Sequence, residues 1–195
     1  MKNITRVGLT LLLSSAISFA SANDVIIKEQ TNLEQDGKKI GFVKVLTPVE
    51  KVKTKNGKTT IRIKGFRLKD YPQDVVRDMK RGELYAQFND ENIAVKSFKV
   101  IKKYEDDYGE IWQEVEGDFV ISSKQISKDP EKLRNDALKL YERTCSMCHH
   151  LPKSTAYTVN QWPHLIESMM VQVPLEIEPK TFIIKYLQQH ASDAK

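Results

Sequence analysis

The chain contains two cysteines, which lie three residues apart with a histidine directly after the second, as Cys145-Ser146-Met147-Cys148-His149. This C-x-x-C-H spacing is the one at which c-type haem is attached covalently. Two thiols at this separation can add to the two vinyl groups on one edge of haem, and the adjacent imidazole can ligate the iron. The run therefore predicts one haem c held by Cys145 and Cys148, with His149 as the proximal iron ligand.

Other uses of a cysteine pair fit this sequence less well. A zinc site needs four ligands, and the remaining histidines, His150, His164 and His190, are not spaced as a second ligand pair. A redox-active C-x-x-C belongs directly after a strand, whereas residues 129–141 have the pattern of a helix. A plain structural disulfide in an exported chain remains the open alternative.

The amino-terminal residues have the features of a secretory signal peptide. Lys2 and Arg6 precede an apolar run at residues 7–19, and the Ala-Ser-Ala at residues 20–22 supplies a small-residue cleavage site. The run is too short to cross a hydrocarbon core, which needs about 20 apolar residues. We expect residues 1–22 to be removed, leaving a mature protein that does not span the membrane. Because c-type haem is attached outside the cytoplasmic membrane, we expect this protein to be periplasmic.

The charge of the mature chain argues against nucleic-acid binding. Loss of Lys2 and Arg6 leaves 29 basic residues against 26 acidic ones, a net charge of +3. Lysines are dense between Lys51 and Lys64, but they alternate with β-branched residues, as in a strand with one solvated face. Neither feature indicates a nucleic-acid partner.

Residues 23–126 carry strand signals and are expected to form a β-rich domain. Asn56-Gly57 between two β-type runs, Val49–Thr54 and Thr59–Gly65, predicts a hairpin in which both turn residues take positive φ. The other candidate strands are Lys39–Leu46, Glu83–Phe88, Ile93–Ile101 and Ile111–Ile121, with Pro72–Lys80 as a helical turn or a loop. The candidate core aromatics are Phe42, Phe66, Tyr85, Phe88, Trp112 and Phe119. Five or six short strands predict a small antiparallel barrel, SH3-like or OB-like.

Residues 127–195 change to a helical period and are expected to form a second domain. Asp129 can cap a helix with Pro130 in its first turn, and this helix leads directly to Cys145. Further helices are predicted from Gln161 to about Met170 and from near Pro179 onwards. The predicted fold class is thus a two-domain α+β protein, with the small barrel followed by an all-α minimal cytochrome c domain.

The sixth iron ligand determines whether such a site carries electrons or binds small ligands. Met147 lies inside the attachment loop and Met79 in the other domain, which leaves two methionines and three histidines. Met169 is preferred because it shares a predicted helix face with Trp162 and Leu165, and neighbouring Met170 is the second choice. The histidines His150, His164 and His190, or an open position, remain as alternatives.

Several stretches resemble the carboxy-terminal part of the pentahaem c-type cytochromes that donate electrons to trimethylamine N-oxide (TMAO) reductase. They are residues 140–149, the Val-Asn-Gln-Trp at 159–162, Ser168-Met169 and residues 185–191. Residues 108–120 also resemble the β-rich segment before the last haem of that family. The family carries four further C-x-x-C-H sites and a membrane anchor; this sequence contains no further C-x-x-C-H run, and we expect no anchor in the mature protein.

The resemblance implies a periplasmic electron carrier, not an enzyme, that serves anaerobic respiration. Its acceptor would be a molybdenum reductase for TMAO, dimethyl sulfoxide (DMSO) or a similar oxide. Its donor would be a separate membrane cytochrome or quinol-oxidising complex. By the same resemblance Cys145 and Cys148 attach the haem, while His149 and Met169 ligate its iron. The alternative is a haem-based small-ligand sensor or peroxidase with an open sixth site.

Overall fold

A computed structural model describes residues 24–146, 150–170, 172 and 175–195. The predicted signal peptide, residues 1–22, lies outside these residues. Within them the chain forms ten strands, and every pairing between strands is antiparallel. The strands are β1 (Asp24–Ile27), β2 (Thr31–Gln35), β3 (Lys38–Val43), β4 (Pro48–Lys55), β5 (Lys58–Leu68), β6 (Asp74–Val76), β7 (Leu84–Phe88), β8 (Lys99–Glu105), β9 (Ile111–Ser122) and β10 (Ile126–Ser127). The described α-helices are α1 (Glu91–Ser97), α2 (Pro130–Cys145), α3 (Gln161–Met169) and α4 (Ile177–Gln189).

The strands form one sheet, which branches at β5. The main path runs β10-β1-β4-β5-β6-β7-β3-β2, and β9 pairs with the other side of β5 and carries β8 at its far edge. The β5–β9 ladder is the longest, extending from Lys58 opposite Ser122 to Leu68 opposite Trp112. On one face of β5, Ile61 and Ile63 are fully buried, as the alternation of a half-buried strand requires.

The inner face of the sheet encloses the first hydrophobic core. Three phenylalanine rings lie at its centre, with ring centroids 5.3 Å apart for Phe88 and Phe98 and 5.4 Å for Phe98 and Phe119. These separations are in the range favoured by edge-to-face and tilted aromatic pairs. The surrounding aliphatic side chains are Ile27, Leu33, Ile40, Val43, Val49, Ile61, Ile63, Val75, Val115 and Ile121.

The predicted β4–β5 hairpin is confirmed. Asn56 and Gly57 form its turn with φ angles of 52° and 72°, both in the left-handed region. Asparagine and glycine tolerate this region better than other residues, which is why the dipeptide marks such hairpins so clearly.

The helices α2 and α3 also begin and end close to their predicted bounds, and α4 begins close to its predicted start. Asp129 caps α2 by accepting a hydrogen bond from the Lys132 backbone N–H at 2.9 Å, and Pro130 occupies the first turn. Because proline lacks the N–H group that a first turn leaves unpaired, it starts a helix at no hydrogen-bonding cost.

The predicted fold class is nevertheless wrong. The described chain is mostly β, with a ten-stranded sheet in place of a five- or six-stranded barrel, and α2–α4 do not form an all-α cytochrome c domain. The helices close their core only together with Ile26 of β1 and with Val45 and Leu46 of the β3–β4 connection. The sheet thus supplies part of the surface that these helices bury. On α3 it is Met170, and not the expected Met169, that packs in this core with Trp162 and Ile166.

Two local predictions also need correction. The expected strand at Ile93–Ile101 is a helix, α1, up to Ser97, because Asp90 accepts a hydrogen bond from the Ile93 N–H and starts a helical turn. The expected helical turn or loop at Pro72–Lys80 instead contains the short strand β6. Of the proposed core aromatics, Phe88 and Phe119 lie in the first core, while Phe42, Phe66 and Trp112 are half-buried.

Candidate haem-attachment site

Helix α2 brings Cys145 into the second hydrophobic core, between the helices and the sheet. Ala137, Tyr141 and Cys145 follow one another at four-residue spacing, and all three are buried. Cys145 is the last residue of α2, and only 9% of it is exposed. The first thiol of the motif therefore faces inward. Cys148 and His149 lie outside the described residues.

The Cys145 thiol lies in apolar surroundings. Burial raises its pKa above the usual value, so the thiol is neutral at physiological pH. A thioether bond is likewise uncharged, and forming one at this position would not leave a buried charge. The environment of Cys145 is thus compatible with covalent haem attachment.

Tyr141, one turn before Cys145, holds the segment that follows the motif. Its hydroxyl donates a hydrogen bond to the Pro152 carbonyl at 3.0 Å. Burial, with a smaller contribution from Cys145, raises the pKa of Tyr141 to about 12, which keeps this hydroxyl protonated and able to donate. The chain after the motif is therefore fixed back against α2.

Trp162 forms the centre of the second core and orders the loop before α3. It is fully buried, its indole N–H donates to the Ser154 carbonyl at 2.9 Å, and the Tyr157 ring meets its ring edge-on at 5.0 Å. The preceding Asn160 reaches the connection between β6 and β7, where its side-chain amide donates to the Lys80 carbonyl and accepts from the Gly82 N–H, each at 2.8 Å. Asn160 and Trp162, within the stretch that resembles the cytochrome family, thus combine hydrogen bonding with core packing.

The two candidate methionine ligands lie at the carboxy-terminal end of α3. Met169 is the last helical residue and Met170 is its C-cap, and both are half-buried. Met170 packs against the cluster that contains Cys145, Trp162 and Ile166. Its four-residue spacing from Ile166 explains this contact, since Trp162, Ile166 and Met170 fall on consecutive turns.

The three candidate histidine ligands have different surroundings. His150 and His164 are exposed. His190 stacks on the Tyr186 ring with 4.3 Å between centroids, and its Nδ1 lies 2.8 Å from the Tyr186 carbonyl. His190 also borders a cleft that faces the sheet and the start of α2.

Two cavities border α2. One, of about 390 Å³, lies against Tyr141, Leu151, Pro152 and Tyr186. The other, of about 420 Å³, has mainly apolar walls that include Val45, Leu133, Leu140 and Phe182. Cofactor sites are typically apolar cavities of about 300–1,000 Å³ with few polar groups. Both volumes fall in this range, but Cys145 lines neither cavity.

Neither a ready-made metal cluster nor a membrane-spanning helix is present in the described part of the chain. No group of three or more His, Cys, Asp or Glu side chains is arranged there to hold a metal ion. His149, the predicted iron ligand, lies outside that part. None of the helices in the described ranges is long and apolar enough to cross a membrane.

Comparison with known proteins gives no family assignment. No protein-family model, curated protein or solved structure matches the chain. The resemblance to pentahaem cytochromes therefore stays a prediction, carried by the motif and by the stretches around it.

A buried ion pair joins α4 to the sheet, and it was not predicted from the sequence. The Lys185 ammonium lies 2.5 Å from Glu83 Oε1 and also donates to the Leu84 carbonyl at 3.0 Å. Glu83 is fully buried, and only 2% of Lys185 is exposed. Burial lowers the pKa of Lys185, while the Glu83 charge opposes that shift. The sequence did contain one signal of this buried pair, because Lys185 lies among apolar residues of the predicted helix, namely Phe182, Ile183, Tyr186 and Leu187.

Proposed function

We propose that the chain is an exported c-type cytochrome with one haem, which relays single electrons to a periplasmic molybdenum reductase for TMAO or DMSO. The observation that carries the proposal is the position of Cys145, which ends α2 with its thiol in an apolar core. The C-x-x-C-H spacing that begins at this residue supplies the other expected attachment and ligand residues.

Each residue of the proposed site has a separate role. Cys145 and Cys148 would hold the haem at one edge, and His149 would fix the iron from one side. The apolar side chains on α2 and α4 would exclude water from the ring, which affects the reduction potential. When bound, haem supplies an iron centre that gains and loses one electron. No catalytic residue is required for this role.

The identity of the sixth ligand can be tested with two adjacent substitutions. Met170 packs against the cluster that contains Cys145, which supports Met170 as a second candidate ligand besides the sequence-based choice, Met169. We expect that one of Met169→Ala and Met170→Ala abolishes the charge-transfer absorption of a methionine sulfur bound to ferric iron, while the other variant retains it. A methionine ligand raises the potential, so the affected variant should also titrate at a lower potential.

Two outcomes would contradict methionine ligation. Unchanged spectra in both variants would exclude both methionines. Rapid binding of carbon monoxide by the reduced wild-type protein would favour the sensor or peroxidase alternative, because it requires an accessible sixth position.

The acceptor is tested by following reoxidation of the haem. We expect the reduced protein to be reoxidised when TMAO is added with a catalytic amount of TMAO reductase, and not when either is omitted. Carriers of this kind form small, short-lived interfaces, so the rate should depend on ionic strength. Reoxidation by TMAO without the enzyme would point to catalysis by the protein itself. Absence of reoxidation with both TMAO and DMSO reductases would contradict the proposed acceptor class.

A further inference from the structure

Exposed lysines cluster at the end of the sheet where β4 turns into β5. Lys58 and Thr60 point outward on β5, because Thr59 between them is buried on the inner face. Their partners on β4 are Lys55 and Lys53, and residues paired directly across antiparallel strands lie on the same face. All three lysines are exposed. The solvated strand face expected from the sequence therefore carries its lysines side by side.

Neighbouring segments add three more exposed lysines beside the hairpin turn. The Ser123 N–H donates to the Gly57 carbonyl at 2.9 Å, which brings Lys124 next to the turn. A depression there is bordered by Gly57 and by Lys28, Lys124 and Lys128. We call the whole group the basic surface; it consists of Lys28, Lys53, Lys55, Lys58, Lys124 and Lys128.

The positive charge of the basic surface is largely uncompensated. None of its six lysines forms an ion pair with a residue in the described ranges. On the adjoining part of β9, Asp118 is already held by Arg62, with N–O distances of 2.7 and 3.0 Å. Asp129 and Glu29 each follow a lysine of the surface in the chain, and even if both offset one charge, four remain. Such a surface favours a negatively charged partner.

Two exposed valines accompany these lysines. Val120 lies opposite Thr60 on the outer face of β9 and is 52% exposed. Val52, next to Lys53 in the chain, is 41% exposed. Basic and apolar side chains exposed together are typical of surfaces that lie on anionic membranes, because lysines attract the headgroups and apolar side chains enter the interface.

The distance to the haem-attachment site favours a membrane over a redox protein as the partner. Helix α2 begins two residues after Lys128 and ends at Cys145, and its 16 residues extend about 24 Å. A donor or acceptor protein on the basic surface would be separated from the haem by the length of this helix. A lipid surface that only holds the protein in place needs no such closeness. This choice of partner rests on the proposed function.

We propose that the basic surface binds anionic phospholipid headgroups of a membrane. The lysine ammonium groups would contact the phosphates, and Val52 and Val120 would enter the headgroup layer. Binding of this kind would concentrate the carrier at the membrane that contains its expected electron donor.

Co-sedimentation of the full-length mature protein with lipid vesicles tests this surface. At 0.1 M salt we expect vesicles of equal parts phosphatidylglycerol and phosphatidylcholine to bind the protein at least about tenfold more tightly than phosphatidylcholine alone. Binding should weaken as salt is raised, because exposed charges are screened. One variant carrying Lys53→Gln, Lys55→Gln and Lys58→Gln should bind the anionic vesicles at least about tenfold more weakly, since each lysine near such a membrane contributes about fivefold.

A matched control separates the basic surface from net charge. Lys99→Gln, Lys102→Gln and Lys103→Gln remove three exposed lysines from the edge strand β8, and together should change the affinity by less than about threefold. Equal losses in the two triple variants would overturn the proposal, as would equal binding to both kinds of vesicle. Binding of soluble polyglutamate without binding of anionic vesicles would overturn it in favour of an acidic protein. None of these measurements requires haem, so failure of this proposal and failure of the proposed function are distinguishable.

Discussion

Replacement of both Cys145 and Cys148 by alanine is expected to abolish covalent haem attachment. The two thiols are the only ones in the chain, so no other cysteine can substitute for them. The wild-type protein, exported in cells that can attach c-type haem, should retain haem on a denaturing gel and show the added mass of one haem. The double variant should show neither. Each single variant should have a weaker attachment, because one thioether bond would remain.

Ser146→Ala is the matched control for this experiment. Ser146 lies between the two cysteines in the sequence and is exposed at the end of α2, so its loss should leave the haem attached. The alternative of a structural disulfide predicts a wild-type protein without haem. Its mass would be that of the reduced chain minus two hydrogens. That result would remove the basis for the proposed electron relay.

Lys185→Met is expected to lower the free energy of unfolding by about 3–5 kcal/mol, the usual effect of removing one partner of a buried ion pair. The substitution leaves the Glu83 carboxylate in the interior with Gln189 at 2.9 Å and the more distant Arg77. Urea unfolding of the wild-type and variant proteins gives the difference directly.

Two further variants test the cause of this loss. Lys132→Met removes a lysine from an exposed pair with Asp136 on α2, and should cost less than about 1 kcal/mol. Combining Lys185→Met with Glu83→Leu removes both charges and should recover much of the lost stability. If Lys185→Met and Lys132→Met have the same effect, the buried pair does not stabilise the junction between α4 and the sheet.

Local sequence signals predicted some of the individual elements, but β1, β2, β6 and β10 were not among the candidate strands. Asp129 and Pro130 marked the start of α2, and Asn56-Gly57 marked the β4–β5 turn, because each acts on the backbone within a few residues. In the case of α1, a competing local signal had been missed. Asp90 starts α1 through its cap, which took precedence over the β-branched residues Ile93 and Val95.

The arrangement of the elements could not be predicted in the same way. The apolar faces of α2–α4 are visible in the sequence, but nothing in their periodicity indicates that Ile26, Val45 and Leu46 complete their core. The same holds for the sites. The C-x-x-C-H run is a local motif and was found directly, whereas Glu83 and Lys185 are brought together only by packing of α4 on the sheet.

The second core sets an order for the maturation of the protein. It contains Ile26, in the first described strand, and Ala194, next to the last described residue. Chains emerge from synthesis and export amino-terminal end first, so Ile26 emerges well before Ala194, which belongs to the same core. The cysteines at 145 and 148 emerge well before Ala194. Any enzyme that acts on these thiols therefore has a period in which Cys145 is not yet enclosed, and that period ends when α4 closes over the sheet.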